Sequence, residues 1–325
     1  MTFESLVGKR LLSSSGQHPC DPELVRELIE YRAREKDDEL KKQLLKELLL
    51  KYSQAQRELL QLNQELTEKQ QRLHQNLEAA AEIQKSLLPK NLSAIDNLEV
   101  AWKFLPCELI GGDIFNIVPL DEDHVGLYII DVSGHGVPSA LVTVSVSQAL
   151  QPHSGYLMKR TEAAPAGREI MSPQHVLNAL DAEFPMERFD MFFTMIYMVL
   201  NTRQGCLVYS RAGHPPAILL HEDGGLEFLK EGGPAVGCGW LGPFEEERKE
   251  LTRGDKLILY SDGITEYENS LGEFYGTDRL HASVKDLKGE PIGVLLDGLV
   301  ASFLDFGDYG MPQDDISLLG IEFKG

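Results

Sequence analysis

The sequence predicts a mixed α+β domain with many turns, preceded by a long N-terminal helix. Three observations carry that expectation: where the charge lies, where glycine and proline are missing, and where apolar runs meet aspartate. Of 325 residues, 31 are Lys or Arg and 51 are Asp or Glu, a formal net charge of −20. Residues 1–90 hold 15 of each sign, so the whole acidic excess falls on residues 91–325. Composition breaks at the same place. Between Pro22 and Pro89 there is neither Gly nor Pro, in a stretch rich in Leu, Glu, Gln and Lys, which reads as helix. The rest of the chain is studded with Gly and Pro and reads as a compact domain of strands, helices and turns. The boundary falls near Pro89 to Asn91.

The helix carries a heptad. With Leu45 at position a, that position continues through Tyr52, Leu59, Leu66, Leu73, Ala80 and Leu87. Position d runs Leu48, Ala55, Leu62, Lys69, Asn76, Ile83. Backward extension stops there, because Asp38 and Lys41 would enter the seam. A 3.5-residue period held over six heptads indicates a coiled coil, and Lys69 and Asn76 are the kind of seam residues that fix register. A parallel homodimer, another pairing, or a single helix lying on the domain would each use such a stripe. Three segments are expected: 1–44, a short helical N-terminal segment; 45–90, a coiled-coil dimerisation and linker helix; and 91–325, the domain that carries chemistry. In the first, Asp21 caps a short helix over Pro22 to Arg34. The linker helix is expected to run through Ala79 to Leu88 directly into Pro89 and the first strand.

Charge and composition exclude several classes. So acidic a chain is no general binder of nucleic-acid backbone or of anionic membrane. No apolar run reaches the ~20 residues of a membrane helix, and Met191 to Leu200 reads as a buried strand. MTFESLVGKRLL has no signal-peptide apolar region, which points to a cytoplasmic protein. Cys20, Cys107, Cys206 and Cys238 are far apart with no CxxC, so neither a disulfide framework nor a cysteine zinc site is expected.

Four acidic motifs carry the chemistry. Asp113 follows a glycine pair in ELIGGDIFNIV. Asp131 ends an apolar strand in VGLYIIDVSGHG, and Asp262 ends another in DKLILYSDGITE. Asp314 and Asp315 precede a third in QDDISLLGIEF. A carboxylate at the end of a buried strand is costly unless something neutralises it. One such Asp is ordinarily a cap or turn residue; four, with no Arg or Lys beside them, call for bound cations. Oxygen-only ligands favour Mg²⁺ or Mn²⁺. Gly134 and Gly136 let the chain turn after Asp131 so that a carbonyl near Val132 faces the same side. His135, between those glycines, reads as a structural or outer residue of the site, and His214, before two prolines, as loop packing. Ser133 and Ser261 lack the GxSxG context of an exposed nucleophile.

Taken together, AAEIQKSLLPKN, GGDIFNI, DVSGHGVPSALV, FFTMIYMVL, RAGHPPAIL, GGPAVGCG, LILYSDGITEYENSLGEFYG and DDISLLGI make residues 78–325 resemble the SpoIIE/RsbU-type branch of the PPM metal-dependent protein phosphatases. The resemblance implies a sandwich of two antiparallel sheets flanked by helices, with metals at one edge. It implies that Asp131 bridges two metals and that the Val132 carbonyl completes one shell. Asp113, Asp262 and Asp314 would be further ligands, with Asp131 and Asp262 the principal catalytic pair and Asp315 of less defined role. Two departures stand out. Ile114, Phe115 and Asn116 occupy places where the family commonly has an aromatic pair and an Asp, and Pro234-Ala235-Val236-Gly237 replaces a proline-leucine-glycine.

The implied activity is hydrolysis of phosphoserine or phosphothreonine with two Mn²⁺ or Mg²⁺ ions, which can activate water and offset the phosphate charge. The implied substrate is a phosphorylated STAS-domain protein, an anti-sigma factor antagonist in a partner-switching stress pathway. An upstream regulator on the N-terminal helix and a homodimer through the coiled coil would complete the system. The alternative is a catalytically weak, phosphatase-like coiled-coil interaction protein. A nucleotide cyclase, suggested by GGD alone, leaves the other motifs unexplained.

Overall fold

The computed structural model describes residues 38–90, 95–160 and 168–325, together with Arg26 and Ile29. The expected capped helix over Pro22 to Arg34 lies, apart from Arg26 and Ile29, outside the described residues. Two compact units divide between His74 and Gln75.

The long helix is present as α1, Asp38–Lys85, 48 residues and roughly 72 Å at 1.5 Å per residue. It is already formed at Asp38, ahead of the heptad, because Leu, Glu, Lys and Gln sustain helix without an apolar seam. The seam residues Leu48, Leu59, Leu62, Leu66, Leu73 and Ile83 stand 51–63% exposed. The expected unbroken entry into the first strand is not what forms. The helix stops at Lys85, a turn follows over Ser86 to Leu88, and the first strand begins only at Leu98. Pro89 accounts for the stop, since it has no N–H to give the Lys85 carbonyl four residues back.

The second unit is built on two sheets. One has the order β1 (Leu98–Leu105), β13 (Ile316–Phe323), β12 (Lys256–Tyr260), β8 (Ala217–Leu220), β9 (Leu226–Leu229). The other has the order β10 (Gly232–Gly233), β7 (Cys206–Ala212), β6 (Phe193–Asn201), β3 (His124–Val132), β2 (Asp113–Pro119), with β11 (Glu247–Glu250) also on β7. All pairings in these sheets are antiparallel except β10 with β7. A separate two-stranded ribbon pairs β4 (Met158–Arg160) with β5 (Arg168–Ile170).

Alternation along the strands explains the layering. Leu257, Leu259, Leu319 and Ile321 pack into the core shared with the second sheet. Ile258, Tyr260, Leu318 and Ile316 point the other way, onto Leu295, Leu296, Leu299 and Phe303 of the helix Ile292–Phe306. Because both faces are covered, these strands read as nearly continuous apolar runs. The second sheet is covered by the helices Val137–Ala149 and Pro173–Glu183. Each begins at a proline in its first turn, and Ser172 caps the latter by accepting from the His175 N–H. The result is the expected α+β sandwich of two sheets flanked by helices.

Candidate metal centre

Strand register brings the predicted aspartates to one end of the sandwich. Asp113 opens β2 directly opposite Asp131 near the end of β3. In the other sheet β12 ends at Tyr260, so Ser261 and Asp262 follow at the edge. Its neighbour β13 begins at Ile316, immediately after Asp314 and Asp315. Asp262 then opens a short helix, Asp262–Thr265.

The electrostatics point the same way. Asp113, 2% exposed, is raised well above the usual carboxylate range, first by burial and then by the charges of Asp131 and Asp315. Asp131 is pushed up to about 7 by burial, then by Asp262, Asp314, Asp315 and Glu266. Asp262 is raised by burial and by the charges of Asp314 and Glu266. Burial raises Asp314 too, with the charge of Asp315 adding to it, while hydrogen bonding from the Asp315 N–H and the nearby His135 act in the opposite direction. No Lys or Arg is among the largest influences on any of the four. Asp113 Oδ2 is buried without a partner in full hydrogen-bond geometry, although the Ser317 and Ser261 hydroxyls act on the carboxylate in the lowering direction. An orphaned carboxylate oxygen among converging carboxylates is a donor set suited to hard divalent cations.

Asp315 has a different job. Its carboxylate accepts the Gly112 N–H at 2.6 Å on Oδ2 and the Cys107 N–H at 2.9 Å on Oδ1. Its backbone carbonyl accepts the Ser261 hydroxyl at 3.1 Å. It therefore ties the glycine turn before Asp113 to the segment carrying Asp262 and leaves Asp314 as the freer member of the pair. The glycines of that turn are required by close approach: a Cβ on Gly112 would stand 2.8 Å from the Val132 carbonyl oxygen. A side chain on Gly111 would collide with the Asp315 carboxylate.

The end of α1 is clamped to the same turn. Gln84, buried, donates to the Gly111 carbonyl at 2.6 Å and accepts the Gly111 N–H at 3.1 Å. Ala81 packs with Ile110 and Ala140. Asn116 donates through Nδ2 to the Leu87 carbonyl at 2.8 Å. An Asp at that position would have no proton to give, so the departure from the family pattern has a local use.

Several side chains were not legible as site members. Glu266 lies one turn after Asp262, and its i, i+4 spacing was the available signal. Cys107 Sγ lies with carboxylate oxygens of Asp314 and Asp315 in a cluster spanning no more than 4.8 Å. Burial and the Asp315 charge push its thiol up to about 12, so it stays a neutral thiol and a poor ligand for a hard ion. His135 reaches Glu108 Oε1 at 2.9 Å through Nδ1 on the exposed rim. Ser261 is fully buried and accepts the Ser317 N–H, so it is no nucleophile. Ser133 accepts the Phe192 N–H. His214 is buried in the segment between β7 and β8, as loop packing requires.

A family model described as stage II sporulation protein E (SpoIIE) matches residues 121–324. The chain belongs to the SpoIIE family, of the RsbU/SpoIIE type within the PPM phosphatases. Protein IcfG of Synechocystis is 25% identical over 263 residues, covering 75% of this chain but 41% of IcfG. Phosphoserine phosphatase RsbU of Bacillus subtilis is 25% identical over 282 residues, 86% of this chain and 78% of RsbU. The solved SiaA-PP2C domain of Pseudomonas aeruginosa superposes with a TM-score of 0.65 at 21% identity, covering 78% of this chain and 98% of that one. That likeness fixes the fold. The chain thus spans less than half the length of IcfG, though most of RsbU. Among the described residues, no helix is long and apolar enough to cross a membrane.

Proposed function

We propose that residues 91–325 form a metal-dependent protein serine/threonine phosphatase. The observation that carries this reading is the convergence of Asp113, Asp131, Asp262 and Asp314 from two sheets, with His135 at Asp314 the one positively acting group among the main influences on them. These four, with the Val132 carbonyl, would hold two Mn²⁺ or Mg²⁺ ions. Once bound, the ions supply an activated water and charge neutralisation for the phosphoryl group. Asp315, Gln84 and Ser261 keep the ligand-bearing turns in place. A phosphate-release assay with p-nitrophenyl phosphate tests this first: Mn²⁺-dependent turnover is expected, and none would leave a phosphatase-like interaction protein.

His135 supplies the proton-transfer group. Glu108 holds its ring through Nδ1 at the rim of the carboxylate cluster, which would leave the other ring nitrogen for the departing oxygen. A general acid matters most for a poor leaving group. His135→Gln is therefore expected to cost about 100-fold on a phosphoserine protein and less than about fivefold on p-nitrophenyl phosphate. Equal losses on both substrates would remove the acid role.

The substrate is proposed to be the phosphoserine or phosphothreonine of a STAS-domain protein in a partner-switching pathway of the cytoplasm. The name of RsbU, a phosphoserine phosphatase, supports the phosphoserine part of that reading. Residues 1–44 are proposed to receive a regulator and residues 45–90 to pair two chains. The exposed stripe of Leu48, Leu59, Leu62 and Leu66 supports the pairing. Leu59→Glu with Leu66→Glu is expected to convert a dimer to a monomer in light scattering and to change turnover on a phosphoprotein. A monomeric wild type would refute the pairing, and a split dimer with unchanged turnover would remove its regulatory role.

A further inference from the structure

His214 stands where the chain leaves one sheet for the other. It follows β7 of the second sheet and precedes β8 of the first, in the segment Ala212-Gly213-His214-Pro215-Pro216. Its ring is 1% exposed. Nδ1 lies 2.8 Å from the Thr194 hydroxyl on β6. Nε2 faces the backbone carbonyl of Tyr260 on β12, short of full hydrogen-bond geometry. The backbone around the ring is fixed as well. The Arg211 guanidinium donates to the His214 carbonyl at 2.8 Å. The Gly213 N–H donates to the Gly233 carbonyl at 3.0 Å, with Gly213 at φ 65°.

The two partners of the ring are not arbitrary. Thr194 is the register partner of Asp131 across β6 and β3. Tyr260 is the last residue of β12, two before Asp262. One side of the imidazole thus touches the strand beside one proposed metal carboxylate. The other side touches the strand that leads into the second. Asp131 and Asp262 come from different sheets, and sheets in a sandwich are joined by side-chain packing rather than by backbone hydrogen bonds. Asp315 and Ser261 tie the turns at the open end, and the His214 ring stands between the strands that lead into them. Burial and the nearby Arg211 hold the ring at about 3, so it is a neutral imidazole with one donor and one acceptor. That inventory matches its surroundings. Nδ1 accepts from the Thr194 hydroxyl, and Nε2–H is left on the side of the Tyr260 carbonyl without a bond of full geometry.

We infer that His214 is a positioning residue, a polar strut between the two sheets that sets the separation of Asp131 and Asp262 and thereby the affinity of the site for divalent metal. The inference rests on the proposed metal centre. It does not place His214 on substrate or on a metal ion. Outer groups that hold metal ligands in place ordinarily govern affinity by about 10–100-fold.

The test is Mn²⁺ binding by titration calorimetry on the metal-free full-length chain, read beside metal-free melting. His214→Phe keeps an aromatic ring, slightly larger, and removes both ring nitrogens. Thr194→Val is near-isosteric and removes the contact from the other side. Each is expected to weaken Mn²⁺ binding about tenfold, and the double variant no more than either single one, because both break the same contact. Phosphatase activity should return toward wild type when Mn²⁺ is raised to saturation. Folded variants that bind Mn²⁺ within twofold of wild type would overturn the strut, even if they melt lower, since that pattern marks packing alone. Should His214→Phe fail to fold, Thr194→Val decides alone. A wild-type chain that binds no Mn²⁺ would overturn the metal centre and the strut with it, whereas tight wild-type binding with unaffected variants overturns only the strut.

Discussion

Asp131→Asn and Asp262→Asn are each expected to lower Mn²⁺-dependent phosphatase activity by about 10³-fold or more, roughly 4 kcal/mol of barrier, while leaving the fold intact. Both carboxylates stand at strand ends where the sandwich opens, and both are raised by burial and by neighbouring carboxylates, an effect that the backbone N–H groups of Asp262 and Gly263 only partly offset at Asp262. Asn keeps the shape and removes the anionic oxygen that a cation needs. Steady-state turnover with circular dichroism checks both parts. Activity within about threefold of wild type for both variants, only ~0.7 kcal/mol, would refute the assignment.

The metal-free chain is expected to lose stability as pH rises from about 4 to about 7. The sign follows from Asp131. Its folded-state value is about 7 against an unfolded value near 3.8, so the folded chain holds the proton more tightly. That contribution is fully present below the unfolded value and is gone above the folded one. Asp113, Asp262 and Asp314 are shifted in the same direction and deepen the slope. Removing one charge relieves the repulsion, so Asp131→Asn in EDTA at pH 8 should melt roughly 3–6 °C above wild type. The advantage should vanish near pH 4 and reverse when Mn²⁺ is added. Lower melting of Asp131→Asn, Asp262→Asn and Asp314→Asn in EDTA would mean that these aspartates are ordinary caps.

The proposed metal carboxylates stood out in the sequence because four aspartates abut nearly continuous apolar runs or glycine turns with no Arg or Lys beside them, and because the GGD, SDG and DD turns sit at recognisable strand ends. What was not legible depends on contacts across long stretches of chain. Asp314 and Asp315 look alike in sequence. They part only because the Cys107 and Gly112 N–H groups, more than 200 residues away, reach Asp315. Gln84 reads as one more polar residue on a helix, and its clamp on Gly111 needs the turn to be in place. His214 read as loop packing because the crossing between sheets has no signature of its own. Asn116 looked like a weakened family position, yet its amide donates to Leu87, a bond an aspartate could not make. The long helix and its apolar stripe were legible from periodicity alone, whereas the connection to the first strand was not, because Pro89 ends the helix short of it.

The most direct test of the central claim is phosphate release from a STAS-domain protein phosphorylated on serine, with the full-length chain, in Mn²⁺ and in EDTA. Release in Mn²⁺ that stops in EDTA and is absent from Asp131→Asn is the expected result. Release that persists in EDTA, or that survives Asp131→Asn, would contradict a phosphatase built on this carboxylate centre.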